Sequence, residues 1–361
     1  HTVQEFKKTN EKEILFYQYV QWLIDGQLKE AAEQTRDLGM PVGIYHDLAI
    51  GSIGGGSDAW NFQDVIADGI SLGAPPDDFN PTGQNWGFPP LIPEKLKESG
   101  YELFIQTIRK NMKHFGALRI DHALGMFRQF WIPQGMPASQ GAYVRYPAED
   151  ILRIIALESV RNRTMVIAED LGTIGENVRE SLFRFRMLSY RLLYFERNYP
   201  DPSFLSPERY PDMALCAVTT HDLPTIYGWW IGRDIDLKRR LGIFVDEGTH
   251  QKHTHDRERD KELLLNALES QNIIQPSAIS HQLSAMSQEL CLAIYEYLAR
   301  TSCRLVAVSL DDAIGTLDQQ NMPGITDSYP SWMQKTPIPL EQMLSDEWFS
   351  VLSEMFKKNN R

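Results

Sequence analysis

Six short runs of apolar, β-favouring residues recur along this chain, and most of them end in polar residues. Amphipathic stretches lie between or before these runs, with apolar residues three and four positions apart, as over residues 11–39, 96–114 and 148–162. Continuous apolar strands that alternate with helices predict a parallel sheet buried on both faces. The predicted strands lie in PVGIYHDLAIG, ALRIDHA, TMVIAEDLG, YRLLYFE, ALCAVTTHDLPT and RLVAVSLDDAIG.

Two architectures satisfy this pattern, a doubly wound sheet and an eight-stranded β/α barrel. A doubly wound nucleotide-binding fold requires a glycine-rich turn after its first strand, but GSIGGGSDAW lacks both the GxGxxG spacing and an immediate helix. Five of the six predicted strands carry an acid at or just past the carboxyl end. A barrel gathers such ends into one mouth, so these positions favour the barrel. The acids are Asp47, Asp121, Glu169 with Asp170, Asp222, and Asp311 with Asp312.

Each of these carboxylates, taken alone, is as readily explained as the N-cap of the following helix. Taken together they suggest chemistry, because carboxylates around one pocket raise one another's pKa. One of them can then stay protonated as an acid while a neighbour is ionised as a nucleophile. Cleavage of a glycosidic bond requires that division of roles.

Composition narrows the partners. The chain has 361 residues, 42% of them hydrophobic, and a net charge of −12 from 36 basic and 48 acidic residues. This charge argues against nucleic acid and anionic membranes as partners and favours a neutral, polar small substrate. The three cysteines, Cys216, Cys291 and Cys303, show no paired spacing and predict reduced, buried thiols in a cytoplasmic protein. No run of eighteen apolar residues occurs.

Five motifs occur in a characteristic order and spacing: GAPPDDFNPTGQNWGFPP, GALRIDHALGMFRQFWIP, MVIAEDLGT, TTHDLPT and LDDAIGTLDQQNMPGITDSYPSWMQK. In these motifs the chain resembles the 4-alpha-glucanotransferases of the amylomaltase or disproportionating-enzyme type, glycoside hydrolase family 77, from about residue 38 to 345. The resemblance implies a (β/α)8 TIM-type barrel with helical insertions, one of them at residues 230–285. It also implies that the N-terminal part of the barrel is missing from residues 1–361, because two further strands precede GIYHDLAIG in the family.

The resemblance assigns the catalytic residues. Asp121 matches the nucleophile that forms a covalent glycosyl-enzyme, and Glu169 matches the general acid/base. Asp222 matches the third carboxylate, which stabilises the oxocarbenium-like transition state. A retaining mechanism of this kind predicts that the Asp121 and Glu169 carboxyl groups lie roughly 5 to 5.5 Å apart.

Other residues are expected to bind substrate or support the site. Arg119 lies two positions before Asp121, so it points to the same side of the strand and can orient that acid. Trp86 lies in a loop, residues 73–90, that lines acceptor subsites in the family. His122 matches the family too, but its side chain is expected to face away from the pocket. The substrate-binding set is Arg119, His221, Trp86, Asp47, Asp58 and Asn321.

The predicted function is transfer of α-1,4-glucan segments between maltodextrin donors and acceptors, glucose among them, without cofactor or metal. The histidine-rich run HQKHTHDRERD is interpreted as a solvated helical face rather than a metal site. Two alternatives remain, a non-catalytic glucan-binding remnant and an α-glucan hydrolase. Glucan length, oligomeric state and the physiological pathway are left open, as is whether residues 1–361 fold alone.

Overall fold

The computed structural model describes residues 2–77, 82–172, 175–244, 246–275, 286–325, 328–343 and 345–361. The chain divides into two compact units, residues 1–188 and residues 189–361. None of the helices in the described ranges is long and apolar enough to cross a membrane.

The first unit begins with helices and then alternates strands with helices. Its helices are α1 (Thr2–Thr9), α2 (Glu11–Asp37), α3 (Ser57–Asn61), α4 (Pro93–Glu98), α5 (Glu102–Met112), α6 (Ala148–Asn162) and α7 (Glu176–Arg184). Its strands are β1 (Tyr45–Leu48), β2 (Ile70–Ala74), β3 (Gln84–Asn85), β4 (Ala117–Ile120), β5 (Arg128–Pro133), β6 (Ala142–Arg145) and β7 (Met165–Ala168).

Three parallel strands form the framework of the first unit, in the order β1, β4, β7. All four residues of β4 are buried, which explains why ALRI is a continuous apolar run apart from its arginine. The β1 and β4 strands pair in register, with Asp47 opposite Arg119. Parallel strands end at the same edge, so the acids that follow β4 and β7 are neighbours there.

Close packing at the start of β4 requires a glycine. A Cβ added at Gly116 would lie 1.5 Å from the backbone oxygen of Val42, so no side chain fits. The Gly116 amide instead donates to the carbonyl of Ile44, 3.1 Å away, which ties the β1 entry to β4. This contact sets the register that places Asp47 beside Arg119.

A separate antiparallel sheet, not anticipated from the sequence, has the order β3, β2, β5, β6. The aromatic cluster FRQFWIP supplies its β5 strand, which pairs with β2 through Ile70–Gly73 and with β6. Trp86 directly follows β3 and is therefore carried on this sheet.

The second unit contains three parallel strands, β8 (Leu188–Leu192), β9 (Ala214–Ala217) and β10 (Leu305–Ala307), with β9 between the other two. The helix Gln288–Ala299 has eight of its 12 residues buried and packs in a core with Trp229 and Trp230. The helices are α8 (Ile226–Trp230), α9 (Arg233–Arg240), α10 (Glu247–Ser270), α11 (Gln288–Ala299), α12 (Leu310–Ala313), α13 (Leu340–Met343) and α14 (Glu347–Lys358).

The structure confirms the six predicted strands and their parallel pairing within each unit. The helix predicted over residues 96–114 is wrong as one element. It is two helices, α4 and α5, because Gly100 and Tyr101 both adopt left-handed backbone conformations between them. The predicted insertion at residues 230–285 contains α9 and α10, and its residues 245 and 276–285 lie outside the described ranges.

Candidate active site

Arg119 joins two carboxylates in the first unit. Its side chain, only 7% exposed, has Nη2 at 2.8 Å from Oδ1 of Asp121. Nη1 donates to both carboxylate oxygens of Asp47 at 2.8 Å. Burial opposes the charge of Arg119, but these two carboxylates together raise the pKa of the guanidinium above its ordinary value. The predicted orientation of Arg119 toward Asp121 is confirmed, and Asp47 is placed to hold Arg119 rather than standing alone.

Glu169 follows β7 directly and lies next to the Asp121 turn. Its Oε2 accepts a hydrogen bond from the His122 backbone amide at 2.9 Å, and its Oε1 accepts one from Leu171 at 2.7 Å. Burial raises the pKa of Glu169 to about 7, and the negative charge of Asp121 raises it further. The two hydrogen bonds from backbone amides and the positive charge of Arg119 act in the opposite direction. Glu169 can therefore be protonated near neutral pH beside an ion-paired Asp121.

His122 departs from the expectation that its side chain faces away. It has φ 45°, so strand alternation ends at Asp121. Its ring lies edge-on to Trp86, with 5.2 Å between ring centroids. His122 and Asp121 line the same cavity of about 80 Å³, which is otherwise mostly apolar.

Trp86 is half-buried and held at three points. Its backbone amide donates to Leu72 and its indole Nε1 donates to the Gln84 side chain at 3.1 Å. The third contact is the His122 ring. Residues 78–81 of the predicted acceptor loop lie outside the described ranges. The structure thus brings Trp86 to the residue that follows Asp121.

Asp58 makes a local contact. Its Oδ2 accepts a hydrogen bond from the hydroxyl of Ser52 at 2.7 Å, within the segment that connects β1 to β2. This bond organises the glycine-rich turn GSIGGGSDAW. A substrate contact for Asp58 stays a prediction.

In the second unit, Asp222 is held on both carboxylate oxygens. Asn321 donates from Nδ2 to Oδ1 of Asp222 at 2.6 Å, and His221 Nε2 lies 3.2 Å from its Oδ2. The Asn321 backbone amide also donates to the carbonyl of His221. Asn321 and His221, both predicted as substrate-binding residues, therefore hold the Asp222 carboxylate, and a substrate contact for either stays a prediction.

The loop that carries Asn321 is anchored by a close backbone approach. A Cβ at Gly228 would lie 2.2 Å from the carbonyl oxygen of Leu317, so only glycine fits. Thr225 donates to the carbonyl of Thr316 at 2.6 Å and caps α8 through Gly228. The long α12-to-Asn321 segment is thereby fixed against α8.

Sequence reasoning missed Trp332. Its ring is 64% exposed and lies 5.0 Å from the His221 ring, centroid to centroid. It thus repeats in the second unit the pairing of histidine with tryptophan seen at His122 and Trp86. A tryptophan within the turn-forming segment SYPSW, which lies in one of the five motifs, is the sequence signal that could have pointed to it.

Not every strand-end acid belongs to a site. Asp312 is fully buried and accepts hydrogen bonds from the Tyr295 hydroxyl at 2.6 Å and the Ile226 amide at 2.8 Å. Burial raises its pKa to about 6. Asp170 is also buried, with Arg179 3.4 Å away. Both acids therefore stabilise the fold through buried contacts, but neither is the N-cap of the helix that follows its strand, where Ser309 and Gly175 stand instead.

The histidine-rich run lies on α10. His253 stacks on Phe244, and His250 faces Glu247 at 3.2 Å. Across the described ranges, no group of three or more His, Cys, Asp or Glu side chains is arranged to hold a metal ion.

Comparison with known proteins adds to this geometry. The family model described as 4-alpha-glucanotransferase matches residues 1–340. A 4-alpha-glucanotransferase of Haemophilus influenzae is 40% identical over 342 residues, which cover 94% of this chain and 48% of that protein. A 4-alpha-glucanotransferase of Mycobacterium bovis is 38% identical over 361 residues, which cover 98% of this chain and 49% of that protein. The chain thus spans about half the length of these relatives.

Two solved structures are also similar. The crystal structure of amylomaltase from Corynebacterium glutamicum matches with a TM-score of 0.91 and 32% identity, over 96% of this chain and 50% of that one. Amylomaltase from Streptococcus agalactiae in complex with acarbose matches with a TM-score of 0.78 and 20% identity, over 100% of this chain and 66% of that one. At that identity the second match concerns the fold alone. Together with the parallel strands, the first match supports the predicted barrel-type α/β fold, present here in part.

Proposed function

Since this chain belongs to the 4-alpha-glucanotransferase family, we propose that the protein transfers α-1,4-glucan segments from one maltodextrin to another by a retaining double displacement. The observation that carries this proposal is the contrast between two adjacent carboxylates. Asp121 is ion-paired with Arg119, whereas burial raises the pKa of Glu169 to about 7. A nucleophile must be ionised and a general acid must be protonated, so the two carboxyl groups suit these two roles.

In the first step, a carboxylate oxygen of Asp121 bonds to the anomeric carbon of the donor. The glycosidic carbon–oxygen bond breaks, and Glu169 gives its proton to the departing glucan oxygen. In the second step, the Glu169 carboxylate takes the proton of an acceptor hydroxyl. That oxygen bonds to the anomeric carbon and releases the Asp121 carboxylate, so the stereochemistry is retained.

Further residues are proposed to serve this chemistry. Asp222, held by Asn321 and His221, forms hydrogen bonds to sugar hydroxyls as positive charge develops on the sugar ring. Trp86 stacks on the acceptor, which excludes water and lets a second glucan compete for the intermediate. We also propose a cytoplasmic location, which suits the three free, buried cysteines.

Incubation with maltotriose tests the proposal. Transfer produces glucose and a ladder of longer oligosaccharides while the number of reducing ends stays constant. A hydrolase raises the number of reducing ends and forms no products longer than the substrate. A glucan-binding remnant retains maltodextrin on a binding column but leaves maltotriose unchanged. Asp121→Asn, prepared in parallel, shows whether any activity comes from this protein.

A further inference from the structure

His122 adopts a backbone conformation that few non-glycine residues tolerate. Its φ of 45° and ψ of 58° lie in the left-handed region, directly after Asp121 and before the short 3-10 helix Ala123–Met126. A Cβ is strained in this region. Such strain persists where the surroundings hold the residue, and it concentrates at functional sites.

The backbone of His122 contacts Glu169. Alternate amides at the end of β4 point to opposite sides: Asp121 donates to the Leu48 carbonyl at 3.0 Å, and His122 donates to Oε2 of Glu169 at 2.9 Å. The next amide, that of Ala123, donates to the backbone carbonyl of Glu169 at 2.9 Å. Two successive amides therefore dock on one residue and fix its carboxylate beside Asp121.

The ring of His122 contacts Trp86. The two ring planes are 71° apart, the edge-to-face arrangement that aromatic pairs favour. Burial lowers the pKa of His122 below 6.5 despite the opposing charge of Asp121. Burial thus favours the neutral form of the ring that packs on the indole.

We infer that His122 is a positioning residue with two separable tasks: its backbone amide orients the acid/base Glu169, and its ring sets the indole of Trp86 at the acceptor side. This inference rests on the proposed transferase function and deepens it. It makes the residue after the nucleophile the link between proton transfer and the choice of acceptor over water.

Two substitutions separate the tasks. His122→Asn removes the ring, but asparagine tolerates the left-handed conformation, so the amide stays in place. We expect its pH profile to match the unsubstituted protein and its ratio of hydrolysis to transfer to rise several-fold. His122→Val removes the ring and also disfavours positive φ because of its β-branch.

The valine variant should change the pH profile. The hydrogen bond from the His122 amide stabilises the ionised carboxylate of Glu169. Weakening this hydrogen bond therefore raises the pKa of Glu169. The other charged groups facing Glu169, Asp121 and Arg119, are unchanged. We expect the alkaline limb of kcat/KM to move up by about half to one pH unit. His253→Asn, which removes a histidine ring stacked on Phe244 instead, is the matched control.

Parallel losses of activity in both variants, with unchanged pH limb and unchanged hydrolysis ratio, would overturn the inference and leave His122 a merely structural residue. If the valine variant does not fold, His122→Ala replaces it. Carbon-13 NMR titration of the Glu169 carboxyl group, assigned with Glu169→Gln, measures the backbone task without turnover. A titration shift in a protein that lacks transferase activity would therefore refute the proposed function but uphold the amide contact.

Discussion

Arg119 and Asp121 form an ion pair at 2.8 Å from a single strand end, two residues apart in the chain. The geometry follows from β4, where side chains two positions apart share one face. The side chain of Arg119 is buried and Asp121 is one-third exposed, so the acid is open to solvent while its ion-pair partner is fixed in the interior. This arrangement makes Asp121 the first residue to test.

Asp121→Asn should lower glucan transfer by several orders of magnitude, because the amide cannot form the covalent glycosyl bond. The fold should stay nearly intact, since the side chain keeps its shape. Initial rates with maltotriose and circular dichroism measure both effects. Asp68→Asn, which changes an exposed acid of the same unit, should retain normal rates. More than a tenth of normal transfer in Asp121→Asn would assign the nucleophile elsewhere.

Glu169→Gln should abolish transfer from maltodextrins, because the leaving glucan oxygen no longer receives a proton. A glucosyl fluoride donor needs no such proton and should still glycosylate Asp121. Mass spectrometry of the peptide that contains Asp121 should show the added sugar. If the folded variant binds glucan but fluoride donors leave no adduct, another residue is the acid/base.

The pKa of Glu169, raised to about 7, predicts the pH dependence of the first step. The protonated form is required, so kcat/KM for natural donors should fall as pH rises through about 7. With a glucosyl fluoride donor, glycosylation of Asp121 should lose this alkaline limb. An identical limb with both donors would show that a different group titrates.

Trp86→Ala should raise the ratio of hydrolysis to transfer several-fold, because a stacked aromatic is worth roughly 0.5 to 1.5 kcal/mol beyond its buried area. New reducing ends are counted against redistributed chain lengths. Trp86→Phe keeps an aromatic face, so its ratio of hydrolysis to transfer should lie between those of the unsubstituted protein and Trp86→Ala. An unchanged ratio together with a large loss of thermal stability would identify Trp86 as a core residue.

Asn321→Ala should lower kcat/KM by roughly 10- to 100-fold, since it removes a hydrogen bond to the charged group of Asp222. Gln320→Ala is the matched control, because that amide donates to Asp311 instead, at 2.9 Å. Steady-state kinetics with maltotriose compare the two variants. Equal effects of both substitutions would mean that the loop as a whole matters and not the Asp222 contact.

Glu158→Ala should lower the melting temperature by roughly 2–6 °C at pH 7. Glu158 is buried on α6 and accepts hydrogen bonds from Arg109 and Arg161, which hold its pKa below the ordinary value. A lowered pKa contributes stability above the ordinary carboxyl pKa and loses it as pH falls through the folded value. The difference from the unsubstituted protein should therefore shrink in acid. Glu98→Ala, in an exposed pair with Lys95, should change little.

Local pattern was sufficient for the parallel strands and for the acids that follow them. A strand buried on both faces is largely apolar over four or five consecutive residues. Asp121 and Glu169 each directly follow such a strand. Period-two alternation was also enough to direct Arg119 toward Asp121. The antiparallel sheet was missed because β2 pairs with a strand far along the chain, Ile70 with Pro133 and Gly73 with Phe130, so neither strand shows its partner in the sequence.

Only the tertiary structure separates Asp222, held by Asn321 from 99 residues further along the chain, from Asp312, buried against Tyr295. Both acids follow an apolar strand, and the sequence by itself presents them as equivalents. The same holds for His122, whose left-handed backbone and contact with Trp86 violate the alternation that the strand predicts. The physical reason is that burial and hydrogen-bond partners arise from segments distant in sequence, whereas periodicity reports only the local face of one element.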